Sequence, residues 1–393
     1  MATSNPCNDG NLSPADKLVQ STLDILEAGG SAQISVRSVA GQAHVPASAV
    51  YYYHGDLEQL LLAAQARALE IVSDWCAAFV AALPVGPLPS AALPSIMATM
   101  IDSSARQLRR EYFAWREAQL AAERKPAFHA PLRAWETHWE TFWSRLLGRF
   151  GQAEYGLVTA QLFDGESMLH LLQGDRPQDR ACLEEICAGW ACWLRGTLAP
   201  DMPWQSVMRA LVREADETPP PPQGVAATIS VAAADLVSRA GAAALTHRAV
   251  AAEAGVTPGA VAYNFRTSES LFEAAFHELY RRLTATLPPP MSGRNGGLAV
   301  AAYRPGFTEL LVATARNERF ARFRPHLRYT RGRTGRRYLE AMLGPDAAVS
   351  SIDAALYSTL GSGLTRWCIG RTDEACEALE IASGETIATM LKA

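Results

Sequence analysis

The sequence predicts an all-α protein built from two similar helical halves, and three observations carry that expectation. The first is an internal repeat. Ser35 to Leu60, SVRSVAGQAHVPASAVYYYHGDLEQL, aligns without a gap on Thr246 to Leu271, THRAVAAEAGVTPGAVAYNFRTSESL, so that Arg37 meets Arg248, Val39 meets Val250, Val45 meets Val256 and Leu60 meets Leu271. A self-match of this kind sets the architecture before any other signal. The second is composition: 49% of the residues are hydrophobic, Ala, Leu, Trp and Arg are prominent and β-branched runs are scarce, which favours helices around a sizeable core. The third is length, since 393 residues allow two domains or more and a proline run at 219–222 leaves one copy of the repeat on either side.

Each copy reads as a helix, a tight turn and a second helix. In the second copy Val250, Ala251 and Ala254 form an apolar stripe at helical spacing, Gly255 suits the positive φ that ends a helix, and Val256 plugs the angle between the two. Thr257 is a suitable N-cap and Pro258 fits a first helical position, so the second helix is expected over 258–264. The first copy follows the same plan with His44 where glycine is preferred and Pro46 in the cap region. Histidine reaches the left-handed region at some cost.

These residues resemble the helix-turn-helix of the TetR family of one-component transcriptional repressors, whose signature runs roughly T-x-R-x-(I/V)-A-x-x-A-G-V-(S/T). The flanking elements strengthen the likeness: Ser13-Pro14 opens a helix that Gly29-Gly30 closes, and Asp56 to Gln59 can form a capping box for a long following helix. The resemblance is good over both copies and extends to the rest of the chain only as helix order and length. It implies two TetR-like units fused in tandem. The first would have a DNA-binding domain at 13–60 and a helical effector and dimerisation domain at 61–215; a linker at 216–224 would lead to the second, at 225–271 and 272–393. The two units would pack as an intramolecular pseudo-dimer.

Taken in order, the chain has no lysine or arginine before Lys17, so residues 1–12 read as a free polar terminus rather than an arm for a DNA groove. A first helix is expected over about 14–28, and the helix opened by Asp56 runs to about 82. After the proline-punctuated loop 84–94, helix resumes at Ser95 and continues through ARQLRREYFAWREAQLAAER to Lys125-Pro126. The helix expected over about 131–150 puts Trp135, Trp139, Phe142, Trp143 and Leu146 on one face, with His138 at its edge. Such a stripe is either core or the wall of a ligand site. Helices over about 154–173 and 180–198 carry apolar residues on more than one face and must be buried against something beyond their own domain.

A short helix over about 204–214 leads into ADETPPPPQG, where four prolines form a semi-rigid spacer; a proline-rich ligand for a signalling domain is the alternative. The second half repeats the order with helices at about 226–239 and 268–286 flanking its helix-turn-helix. After the loop LPPPMSGRNGG comes a basic run with nine arginines between Arg316 and Arg337, among them Arg324, Arg328 and Arg331. It reads as a solvated helix and loop, as a site for an anionic effector, or as a surface for acids on the other half. Helices at 347–369 and 373–392 close the chain, and LGSGLTRWC at 360 aligns with LFDGESMLH at 162.

The chemistry expected of the repeat is groove recognition, because a helix fits the major groove, where base edges differ, while phosphate contacts fix register. In the first copy Ala47, Ser48, Tyr51, Tyr52 and Tyr53 are placed for this, with Arg37 on the preceding helix; the resemblance implies that Arg37 reaches a base and Tyr51 a phosphate. Three consecutive tyrosines cannot all face inward on a helix. Thr246, Arg248, Pro258, Gly259, Tyr263 and Asn264 correspond in the second copy. Both copies lack the lysine that commonly follows the motif, having Leu57 and Ser268, and His54 and Ala262 replace usual aromatics. The resemblance also implies an effector site among the middle helices, for which Phe113, Trp115, His129, Trp135, His138, Trp139, Phe142 and Trp143 are the candidates and a bulky, apolar, planar molecule the ligand.

The net charge of −4 does not oppose DNA binding, which needs a local basic face rather than a basic whole. None of the seven cysteines forms a C-x-x-C pair, and Cys182, Cys187 and Cys192 are spread around a helix, so buried reduced thiols are expected and no metal. No cofactor is expected, and no nucleophile with a paired base or glycine-rich phosphate loop suggests catalysis. No apolar stretch is long enough for a membrane span and the N-terminus lacks a leader pattern, so a soluble cytoplasmic protein is expected. The function expected is a ligand-released repressor that binds operator DNA through two unlike heads. The alternative is a small-molecule-binding protein or enzyme in which the helix-turn-helix copies serve only as structure.

Overall fold

The computed structural model describes residues 12–172, 177–215, 221–286, 305–344 and 346–392, and among them every regular element is helical. In chain order the α-helices are α1 (Pro14–Gly29), α2 (Val36–Gln42), α3 (Ser48–His54), α4 (Leu57–Ala81), α5 (Leu93–Gln107), α6 (Arg109–Ala122), α7 (His129–Gly148), α8 (Gly156–His170), α9 (Pro177–Trp193) and α10 (Pro203–Ala215). They continue as α11 (Val225–Ala240), α12 (His247–Ala254), α13 (Pro258–Asn264), α14 (Ser268–Thr286), α15 (Pro305–Arg316), α16 (Arg324–Tyr329), α17 (Arg333–Leu343), α18 (Ser351–Trp367) and α19 (Asp373–Lys392). The N-terminal arm, the first part of the proline-rich linker (216–220) and the loop LPPPMSGRNGG lie outside the described residues. The chain divides into two compact units, one of Met1–Ala81 with Gln107–Trp135 and one of Ala82–Arg106 with Glu136–Ala393.

In the first unit the helix signals act as the sequence predicts. The Ser13 hydroxyl oxygen accepts from the Asp16 N–H at 3.1 Å, and Gly30, at φ 74°, ends α1 by donating to the carbonyls of Ile25 and Leu26. Leu18, Leu23 and Leu26 of α1 are fully buried, and α1 packs on α4 and α6 as well as on α2 and α3. Burial of each such leucine contributes about 2 kcal/mol. Asp56 caps α4 by accepting from the Gln59 N–H at 2.8 Å. The single helix expected from Ser95 to Lys125 is interrupted at Leu108 (φ −116°, ψ 26°), which no proline or glycine marks. Beyond the break α6 is buried almost throughout, polar residues included. Glu117 accepts from the Ser31 N–H at 3.1 Å, while Arg116 donates to Gln119 at 3.1 Å and lies 3.8 Å from the centre of the Trp115 ring.

The second unit is centred on α8 and α18, which pack tightly, with α9, α10, α17 and α19 beside them. Both α8 and α18 carry a glycine at their closest approach: a Cβ on Gly165 would collide with the backbone of Thr359, and one on Gly363 with the backbone of Gln161. Asp164 and Arg366 form a buried ion pair at 2.6 Å, and Glu166 meets Arg331 at 3.0 Å. Asp353 completes a capping box with Ser350 at the start of α18 and accepts from Trp193 Nε1 at 2.7 Å and the Ala199 N–H at 2.8 Å. Tyr329 donates its hydroxyl to Asp179, whose other neighbour is Arg328 at 3.8 Å. Thus Arg328 and Arg331 of the basic run meet acids on α8 and α9, one of the three roles the sequence left open for it. At the other end α11 packs on α12, α14 and α15, and α12 on α13. Cys182 and Cys187 are buried and Cys192 is partly exposed; burial pushes the Cys182 thiol up to about 12.

Candidate functional site

The two helix-turn-helix copies are the α2–α3 and α12–α13 pairs. In the first, Ser35 caps α2 in a reciprocal box with Ser38, and Val39 and Ala40 turn inward. His44 takes φ 55°, the left-handed region that Gly255 takes at φ 66° at the aligned position of the second copy, so each turn places one left-handed residue at the same point, a histidine in one copy and a glycine in the other. In the second, Thr246 caps α12 by accepting from the Ala249 N–H at 3.2 Å, and Thr257 caps α13 by accepting from the Ala260 N–H at 3.2 Å with Pro258 following. The observed α13 has the bounds that its cap and proline predict. Val50 and Val261, one on each second helix, are fully buried and hold it to its scaffold.

That inward anchoring leaves the predicted recognition residues outside. Arg37, Ala47 and Ser48 are exposed, as are Thr246, Arg248, Pro258, Gly259 and Asn264. Tyr51, Tyr52 and Tyr53 are 58%, 81% and 44% exposed, and Tyr263 is 83% exposed. Large aromatic rings held this far into solvent are suited to contact with a partner. Tyr52 and Tyr53 touch edge to face at 4.8 Å. Asn264 donates its amide to the Ala260 carbonyl at 2.8 Å, which leaves its side-chain oxygen as the outward group, while the Thr246 oxygen serves the cap. Near the second copy, Arg239 grips Glu253 in an exposed two-pronged bond at 2.9 and 2.5 Å.

The aromatic candidates fall in both units, and in each unit tryptophan rings among them touch a neighbouring ring. In the first unit Trp115 and Trp135 stack at 5.6 Å, Trp135 donates to Gln65 at 3.3 Å, and Gln65 donates to the Ala114 carbonyl at 2.7 Å. Arg109 lies over Phe113 at 4.9 Å, and His129 Nε2 is 3.0 Å from the Ala122 carbonyl oxygen. In the second unit Phe163 of α8 sits between Trp139 at 4.4 Å and Trp143 at 5.3 Å, Phe142 lies edge-on to both tryptophans, and His138 is 4.9 Å from Trp139. Trp115, Trp135, Trp139 and Trp143 are fully buried. Burial pushes the His138 imidazole down to about 4, so at neutral pH it carries no charge. Sequence reasoning passed over Gln65, Arg116 and Phe163 as site residues. The signal available for Phe163 was its place on a helix apolar on more than one side; for Gln65 and Arg116 nothing local distinguishes them from surface residues.

Among the described residues no group of His, Cys, Asp and Glu is arranged to hold a metal ion, and no helix is long and apolar enough to cross a membrane. Comparison with known proteins adds that residues 229–275 match the family of bacterial regulatory proteins named tetR. That segment contains most of α11, all of α12 and α13, and the start of α14. Comparison with curated proteins returned no match. Among solved structures, the multidrug-binding protein EbrR in complex with imidazole is 22% identical over 47% of this chain and 94% of its own, with a TM-score of 0.35.

Proposed function

We propose that the chain is a DNA-binding transcriptional regulator, acting as a repressor, that grips operator DNA through two unlike helix-turn-helix heads and is released by a small apolar effector. The observation that carries this reading is the exposure of Arg37 with Tyr51 to Tyr53, and of Arg248 with Tyr263, on helices whose opposite faces are buried. Among the described residues neither Arg37 nor Arg248 has an acid or carbonyl partner, so both guanidiniums are available for a base edge or phosphate. The tandem arrangement is supported by the reciprocal contacts of α8 and α18. The offset that aligns Leu162 with Leu360 also aligns Gly165 with Gly363 and Gln161 with Thr359, and it is Gly165 that meets Thr359 and Gly363 that meets Gln161. Two related units packed about a pseudo-two-fold would make such a pair of contacts, and a fused pair supplies two heads without a second chain.

The effector is proposed to enter the aromatic cluster of the first half. A flat apolar molecule inserted beside Trp139, Trp143 and Phe163 would replace ring-to-ring contacts with ring-to-ligand contacts, with neutral His138 as a polar group at the edge. It would act on DNA only through a difference in affinity between the DNA-competent and released arrangements. The test is a gel shift of the full chain with the DNA upstream of its own gene, followed by release with planar apolar compounds and tryptophan quenching. Retarded DNA, lost in Arg37→Ala/Arg248→Ala, is the expected result. Unshifted DNA together with intact ligand quenching would sink the DNA reading and favour a ligand-binding protein.

A further inference from the structure

The contacts between α8 and α18 are symmetric in backbone and asymmetric in charge. The alignment that exchanges Gly165 with Gly363 also exchanges Asp164 with Ser362 and Met168 with Arg366. Asp164 Oδ1 accepts from Arg366 Nε at 2.6 Å with the two side chains 1% and 0% exposed, and Arg366 Nη1 donates further to Ser362 Oγ at 3.0 Å. At the counterpart position across the seam, Ser362 and the fully buried Met168 carry no charge. Two more polar contacts have the same one-sided character. Glu166 and Arg331 pair at 3.0 Å where Glu166 aligns with Leu364, and Asp353 receives Trp193 and the Ala199 N–H.

We propose that the buried Asp164–Arg366 pair is a pairing determinant: it makes α8 a partner for α18 and rejects the pairing of either helix with a second copy of itself. This rests on the tandem reading above. In an α8–α8 seam each Asp164 would face Met168, and in an α18–α18 seam each Arg366 would face Ser362, so both would bury a charge with no counter-ion. Removing one partner of a buried ion pair costs far more than the pair itself contributes, and specificity of this kind is built by making the wrong partner worse. Glycine alone would allow any of the three close approaches, because a bare backbone fits its own copy as well as its counterpart. The partner that fits this surface is therefore the opposite half of the same chain or, by exchange, of another copy. A single-unit relative with neutral residues at both positions does not fit it.

The test uses full-length chains with charge reversed on one side. Asp164→Arg sets two guanidiniums together and Arg366→Asp sets two carboxylates together, and each alone is expected to lower the melting temperature by on the order of 10 °C. Asp164→Arg/Arg366→Asp in one chain restores the pair and is expected to recover most of that loss as a monomer. When the two single variants are co-expressed with different tags, the first half of one chain completes the second half of the other, and a 1:1 complex is expected by sedimentation. Wild-type chains with the same two tags are expected not to co-purify. Single variants as stable as wild type, or complexes formed equally well by one variant with itself, overturn the proposal and leave the tandem reading standing. Recovery in the double variant without any complex between the singles overturns both, because it shows a fixed internal contact between parts that do not pair as units.

Discussion

The two helix-turn-helix segments, with the caps and inward valines that hold them, share one local plan in different chemistry. Head one, between Ser13 and Leu60, carries two basic and five acidic side chains and three adjacent tyrosines; head two, between Val225 and Leu271, carries three of each charge and a single outward tyrosine. Head one turns on His44 where head two turns on Gly255. The middles diverge further: eight of the nine tryptophans precede the linker, and the arginine run follows it. Backbone geometry thus tolerates changes that surface chemistry does not, since a helix-turn-helix needs its caps, its inward valines and one left-handed residue, and little else. The match to the tetR family on residues 229–275 falls where that grammar is most regular, with Gly255, Thr257 and Pro258 in place.

The largest effect expected from this comparison is on DNA. Arg37→Ala and Arg248→Ala are each expected to weaken specific binding by about 1 to 3 kcal/mol and the double variant by about the sum, with helicity unchanged by circular dichroism. Because five of the seven aligned outward pairs differ, Arg37/Arg248 and Tyr52/Tyr263 being the two that agree, the preferred site should have unlike half-sites. Selection of a perfect palindrome from random DNA, or equal loss of every sequence in either variant, would break the proposed difference between the heads.

A middle-sized effect separates the aromatic half from the arginine half. Burial holds His138 near a pKa of about 4, below its ordinary value of 6.5, so the folded chain resists a proton that the unfolded chain accepts. Its contribution to stability is therefore complete above pH 6.5 and is lost as pH falls toward 4. Between pH 7 and pH 4.5 the loss should be about 2 kcal/mol, allowing for the partial exposure of the ring. Tryptophan fluorescence in urea titrations would follow it, because that signal comes almost wholly from residues before the linker. His170, lowered by burial while bonded to Asp102 at 3.0 Å, acts in the same direction, so His138→Phe should remove part of the pH dependence and not all of it. An unchanged profile in His138→Phe would show that this imidazole is solvated.

The legible parts of the molecule are those written locally. Thr257-Pro258 fixes where α13 starts, Ser13-Pro14 where α1 starts and Asp56 where α4 starts, since each cap acts within one turn of itself. The break at Leu108 was not legible, because no residue there opposes a helix. Glu117 and Arg116 read as surface residues and are buried, since their partners Ser31 and Trp115 become visible only once α6 is enclosed. For Arg328 and Arg331 the sequence offered acids of the other half as one role of three, but not their partners, because Asp179 and Glu166 lie far away in sequence. Outward residues of the heads were readable for the opposite reason: the inward stripe of Val39, Val50, Val250 and Val261 left them nowhere else to point.

The smallest effect isolates the turn itself. His44 at φ 55° bears a Cβ in a conformation where the side chain crowds the following carbonyl, at a cost of about 1 kcal/mol, while Gly255 at φ 66° bears none. Replacing His44 by Gly should therefore stabilise head one by about 0.5 to 1 kcal/mol, the gain being trimmed by the greater freedom of glycine in the unfolded chain. Gly255→Ala should destabilise head two by a similar amount, and no steric contact will obscure the result, since the space around that Cβ is open. Hydrogen exchange of the Val39 and Val250 amides reads each head separately. Slower exchange at Val39 in His44→Gly and faster exchange at Val250 in Gly255→Ala is the expected pattern. If His44→Gly instead speeds exchange at Val39, the imidazole is making a stabilising contact that outweighs the backbone cost, and the two turns differ in more than the residue that occupies them.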